Sequence, residues 1–252
     1  MRENTSISKD YSYGWIIGIL CLIIIVAVSV GLSVGGSSDS SESSGNYVST
    51  SLPITNKFSS TLEGNTGGFK NNFNFEEDVE TATSNISDIL KDDQIIPLKF
   101  IIVDGGNNGV IAAATRNVDN DLYAGGTIYI YSNFSYNLST TYVEVLMHEI
   151  LHLMGIGLHR KWASACSNNQ LDGKVFPNAL AEYNKLTGGN HTNIPIGDSH
   201  GHWQESKFRD EMMTPYIAGA HDLKLSRLTG MALLDIGWNI NFDSKQFESY
   251  SI

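Results

Sequence analysis

Cysteine is almost absent from this chain: Cys21 and Cys166 are the only two in 252 residues. Cys21 lies inside an apolar run, away from any pairing with Cys166. A disulfide framework is therefore excluded, and so is a zinc cluster built on thiolates. Basic residues are scarce too, 16 against 27 acidic ones, for a net charge of −11. That balance excludes the clustered basic face that nucleic-acid binding needs, and its plainest meaning is solubility. No fixed-period repeat is visible, which removes solenoid architectures. What remains is length for one ordinary domain plus an appendage, with 41% hydrophobic residues to build a core.

Charge is missing altogether from Tyr11 to Ser37. Within that stretch GWIIGILCLIIIVAVSVGLSV, residues 14–34, reaches the roughly 20 apolar residues a helix needs to cross hydrocarbon. The apolar core of a cleaved signal peptide is shorter. Arg2 and Lys9 precede the run, and the next basic residue is Lys57. This bias predicts a single-pass type II membrane protein. Residues 1–13 are then a short cytoplasmic tail, 14–34 a transmembrane signal-anchor, and the remainder extracellular or lumenal. Cleavage near Val34 is the competing expectation and would leave a soluble secreted protein. Residues 35–68 begin as a Ser/Gly-rich tether and continue as an irregular segment. Asn-x-Ser/Thr sequons at Asn85, Asn133, Asn137 and Asn190 fit a domain outside the cytoplasm.

From about Phe69 to the end, 69–252, the pattern is that of a folded domain. FEEDVETATSNISDILKD reads as a helix with an acidic start, as its dipole prefers. LKFIIVDG, GNNGVIAAATRN and GGTIYIYSN read as strands, the last rich in β-branched and aromatic residues. STTYVEVLMHEILHLMGIG reads as a helix, and NALAEYNKL as a shorter one. LSRLTGMALLDIG closes the pattern as a helix capped by Ser226, with Gly237 just past its end. Mixed elements in this order predict an α+β fold with a small sheet.

HEILH, His148 to His152, carries the chemistry. Two histidines four apart on a helix project from one face, so their imidazoles can meet a single cation. Glu149, beside the first, can reach a water at that cation without ligating it. The context is helical. Thr141 and Glu144 form a capping box, Val143, Leu146, Met147, Ile150 and Met154 recur as a core face, and Gly155 and Gly157 break the helix. Zinc needs a third protein ligand and keeps a fourth position open. His159, His191, His200, His202 and His221 are the candidates.

The HExxH segment followed by Gly155 resembles the metzincin pattern, in which a third histidine stands three residues after the glycine. Here that position is Leu158, and His159 comes one residue late. The later stretch SHGHWQESKFRDEMMTP, residues 199–215, resembles the leishmanolysin family of metzincins (peptidase family M8), in which a long insertion separates glycine from third histidine. The likeness runs over roughly residues 95–240, taking in FPNALAEYNKLTGG and LSRLTGMALLDIGW. It implies a metzincin-like zincin domain with a small mixed sheet, an active-site helix and a C-terminal helix. It implies Zn2+ held by His148, His152 and His202, Glu149 as catalytic base, and Met213 as the Met-turn residue beneath the metal. Met212 is the adjacent rival for that last place. It further implies a zinc metalloendopeptidase acting on a polypeptide substrate laid along a sheet edge, for which Gly125–Tyr129 is the candidate. Eukaryotic members of the family are generally cysteine-rich, and this chain is not. Cys166 reads as a plain small side chain rather than a zinc cap. The alternative is a non-catalytic zinc-binding surface or adhesion protein on the same fold, and retention of Glu149 argues for the enzyme.

Overall fold

Alternation of apolar residues builds the sheet that carries everything else. The computed structural model describes residues 21–24, 49–52, 57–64, 74–103, 110–117, 121–132, 142–216 and 223–252. Strands β4 (Ile96–Val103) and β6 (Gly126–Tyr131) bury every second side chain, as a half-covered sheet requires. Strand β5 (Val110–Arg116) instead buries five residues in succession, three of them alanines. Small side chains let a helix approach it closely. With β1 (Cys21–Ile24), β2 (Ser49–Ser51) and β3 (Phe58–Glu63), the sheet runs in the order β1-β5-β6-β4-β3-β2. It is mixed: β3, β4 and β6 are parallel, while β5 runs antiparallel to β6, β1 to β5, and β2 to β3.

Parallel neighbours need a crossover, and helix α1 (Phe75–Asp88) supplies it between β3 and β4. Its acidic first turn, Glu76, Glu77 and Asp78, complements the helix dipole. Helix α2 (Tyr142–Leu153) packs on α1, β5 and β6. Every residue of α2 from Val145 to Leu153 is buried, so this is a core helix covered on all sides.

The C-terminal half adds α3 (Arg160–Ala165), a small antiparallel sheet of β7 (Cys166–Ser167), β8 (Gln170–Asp172) and β9 (Asn193–Pro195), then α4 (Pro177–Thr187), α5 (Glu205–Phe208) and α6 (Arg227–Ile236). Asp235 on α6 caps α4, accepting from the Ala179 N–H at 2.9 Å and from Asn178 Nδ2 at 2.7 Å. Ser226 and Gly237 bound α6 as its sequence predicts. The fold is α+β, with the HxxxH helix at its centre and a C-terminal helix behind it.

Two expectations change here. The Gly125–Tyr129 stretch is not a sheet edge: β6 is bonded to β5 on one side and β4 on the other. Alternation of side chains reports which face is buried, not which strands are neighbours. The fold also begins earlier than about Phe69, because Phe58 on β3 is fully buried and β3 pairs with β4 along its whole length. Of the 14–34 segment only Cys21–Ile24 lies within the described residues, where it forms a short strand paired with β5. An unpaired strand edge satisfies its donors and acceptors with any extended neighbour. Among the described residues no helix is long and apolar enough to cross a membrane. Asn133, Asn137, Thr141 and His221 lie outside the described residues.

Candidate metal centre

Two turns of chain after α2 decide where its histidines point. Gly155 takes φ +123, a conformation other residues rarely adopt, and ends the helix. The chain folds back so that the Ile156 carbonyl meets Nδ1 of His152 at 2.8 Å. Gly157 then passes backbone to backbone against Gly201. A Cβ at 157 would stand 2.5 Å from the Gly201 carbonyl oxygen, a distance real side chains do not tolerate. That close approach brings the neighbour of Gly201, His202, over the helix.

His148, His152 and His202 converge, with one ring nitrogen of each within 4.8 Å of the others. Nε2 of His202 lies 3.1 Å from Nε2 of His152 and 3.2 Å from Nε2 of His148. All three residues are fully buried. The outer nitrogens are engaged. His148 Nδ1 faces the Met212 carbonyl at 2.6 Å, His152 Nδ1 faces Ile156, and His202 Nδ1 lies 3.2 Å from Ser199 Oγ. A nitrogen facing a carbonyl must carry the proton, so in His148 and His152 the inner Nε2 presents a lone pair. Lone pairs directed at one another repel, and a cation between them removes the repulsion.

The spacing suits zinc. Zn–N bonds of about 2.0–2.1 Å in a tetrahedron set ligand nitrogens roughly 3.3 Å apart, close to the 3.1 and 3.2 Å found. Glu149 is the second unusual group of this helix. Its side chain is fully buried, and neither carboxylate oxygen has a hydrogen-bond partner among the described residues. Leaving a buried polar group unsatisfied costs about 1–3 kcal/mol, more when charged. A leucine there would instead gain about 1.5–3 kcal/mol by burial. Stability alone would remove this glutamate, so a role other than packing accounts for it.

The rival histidines are elsewhere. His159 caps α3, its Nδ1 accepting from the Lys161 N–H at 3.1 Å. His191 stacks on Tyr183, and His200 is exposed with its Nε2 3.0 Å from the Asn169 side-chain oxygen. Met213 is fully buried in the turn after α5, and its neighbour Met212 contributes the carbonyl that orients His148. Cys166 bears no disulfide, and burial pushes its thiol up to about 12, which leaves it unreactive. Sequence reasoning missed Glu211, Ser226 and Thr229, whose buried network underlies this turn. The only signal for it was Glu211 within the EMMT segment.

No family model matches the chain, and no curated protein and no solved structure matches it.

Two outcomes follow. His202→Ala should abolish tight zinc binding in chelator competition, and His200→Ala should leave it intact; the reverse would reassign the third ligand. Burial lowers all three imidazole pKa values, and neighbouring imidazoles add to this at His148 and His202. For His152 the value falls from 6.5 to about 4. Folded values below the unfolded one mean that their stabilising contribution is complete above about pH 6.5. It is lost as pH falls through about 4 for His152. In the metal-free chain the NMR resonances of these rings should therefore keep their neutral positions from pH 7.5 to about 5.5. Ordinary titration near pH 6.5 would contradict the buried arrangement.

Proposed function

We propose that this chain is a zinc metalloendopeptidase of the leishmanolysin-like kind. The observation that carries the reading is the convergence of three buried imidazoles, those of His148, His152 and His202, with Glu149 buried next to His148 in the chain. The SHGHW and EMMTP segments support the family assignment, since they bring the resemblance a third histidine and a turn beneath it. His148, His152 and His202 would hold the metal. Bound zinc supplies Lewis acidity toward a water and toward the scissile carbonyl.

Glu149 does the proton work. It takes a proton from the attacking water as the water oxygen bonds to the carbonyl carbon. It returns that proton to the amine nitrogen as the C–N bond breaks. Burial raises the Glu149 pKa well above the ordinary carboxyl value. A bound cation beside it would draw the carboxyl back toward the ionised form that can accept a proton. The helix backbone fixes Glu149 one residue from His148, so base and ligand cannot drift apart. The apolar 14–34 run, with Arg2 and Lys9 close before it and no basic residue after it until Lys57, supports tethering this domain to a membrane.

Glu149→Ala in the purified chain should retain bound zinc by elemental analysis while casein cleavage falls by about 10²–10⁴. Cleavage that survives the substitution would remove Glu149 from the chemistry. Zinc-loaded wild type with no cleavage on any polypeptide would favour the surface-protein alternative. For the tether, alkaline carbonate extraction of expressing cells should leave the full chain with membranes, and deletion of residues 14–34 should release it. Extraction of the intact chain into the soluble fraction would keep Cys21–Ile24 on the sheet and sink the anchor.

A further inference from the structure

We infer that Glu211 is the positioning residue of the metal centre, locking the segments that deliver His148 and His202 into a single register. The inference rests on the metal-site reading above. Glu211 is fully buried, and four donors converge on it. Its Oε2 accepts from the Met213 N–H at 2.6 Å. Its Oε1 accepts from Thr229 Oγ1 at 2.5 Å, from Ser226 Oγ at 2.7 Å and from the Ser226 N–H at 3.4 Å.

Two of these donors, the Met213 N–H and the Thr229 hydroxyl, lead to a ligand. The turn that Glu211 closes presents the Met212 carbonyl to Nδ1 of His148. The next carbonyl in the turn, that of Met213, accepts from the Trp203 N–H at 3.0 Å. Trp203 follows His202 directly, and its indole Nε1–H donates to Thr229 Oγ1 at 2.8 Å. With its lone pair so used, the Thr229 hydroxyl turns its own proton to Glu211. One carboxylate thus fixes the orientation of His148 and the backbone position of His202 together.

A purely structural role does not account for this residue. Helix α6 already has its cap, since Ser226 Oγ accepts from the Thr229 N–H. No Lys or Arg forms a salt bridge with Glu211 among the described residues. Burial pushes its pKa up to about 7 even against the four hydrogen bonds that pull it down. A carboxylate kept at such cost serves geometry that an apolar side chain cannot provide.

The test uses the full chain, metal-free and then titrated with zinc against a competing chelator. Glu211→Gln keeps the volume but sets an amide N–H₂ against donors. It should weaken zinc binding by about 10–100-fold, the usual loss when a group behind a ligand is removed. It should also alter the visible spectrum of the cobalt-loaded protein. Thr229→Val should act in the same direction, and Thr229→Ser, which restores the hydroxyl, should recover tight binding. The threonine pair decides the matter if Glu211→Gln does not fold. Folded Glu211→Gln and Thr229→Val proteins that bind zinc as tightly as wild type, with only a lower Tm, would overturn the positioning role and leave the metal site standing. A wild-type chain that binds no zinc would overturn the metal-site reading itself.

Discussion

Convergence of three buried imidazoles on one point is the constraint on which the rest of this structure depends. Two of the rings are held with Nδ1–H against a carbonyl, so their Nε2 atoms have no choice but to face inward as acceptors. A cation placed between the rings would satisfy those acceptors, and structural zinc in small peptides contributes on the order of 10 kcal/mol to folding. That is comparable with the whole net stability of a domain. Glycines, turn carbonyls and the buried acid all read as means of keeping the three nitrogens in place.

Those means come from different parts of the chain. Helix α2 sets the spacing of His148 and His152 through its own backbone periodicity. The Gly155 turn returns the Ile156 carbonyl to the ring of His152, so this ligand is oriented locally. His148 depends instead on Met212, 64 residues away in sequence. His202 depends on Gly157 yielding space to Gly201 and on Trp203 being held from below. A site assembled this way is precise only if the distant segments are tied to each other, and that tie is made under the metal rather than around it.

This division explains what the sequence made legible. HEILH could be read because both histidines and the glutamate sit on one helix, where spacing alone determines direction. Helices α1, α2, α4 and α6 were readable for the same reason, since caps and apolar periodicity are local signals. His202 could be singled out from His200 only through the SHGHW resemblance, because no local rule links position 202 to position 148. The neighbours of β6 were not readable at all, since strand order is set by tertiary packing. Strand β3 escaped notice because FSSTLE is half hydroxyl residues, though its Phe58 and Leu62 are buried. The Glu211 network was hidden because its acceptors and donors lie 15 and 18 residues apart in sequence.

The scarcity of cysteine finds its structural counterpart between the second and third histidines. An insertion of this length would drift if only the metal held it, and cysteine-rich members of the resembled family have disulfides for such work. Here aromatic rings fill that place. Trp162 contacts Phe176 and Trp203 at centroid distances of 5.6 and 5.0 Å, and Phe208 contacts Trp203 and Tyr183, each at 5.8 Å. The Trp162 indole also donates to the His200 carbonyl at 2.7 Å, two residues before the ligand. Aromatic pairs contribute about 0.5–1.5 kcal/mol each beyond their burial. Four such pairs equal or exceed the roughly 2–4 kcal/mol of one disulfide. Unlike a disulfide, this cluster survives reducing conditions, and it needs no oxidative step before the third histidine reaches its place. Packing therefore holds the third histidine in a geometry that a cation would complete.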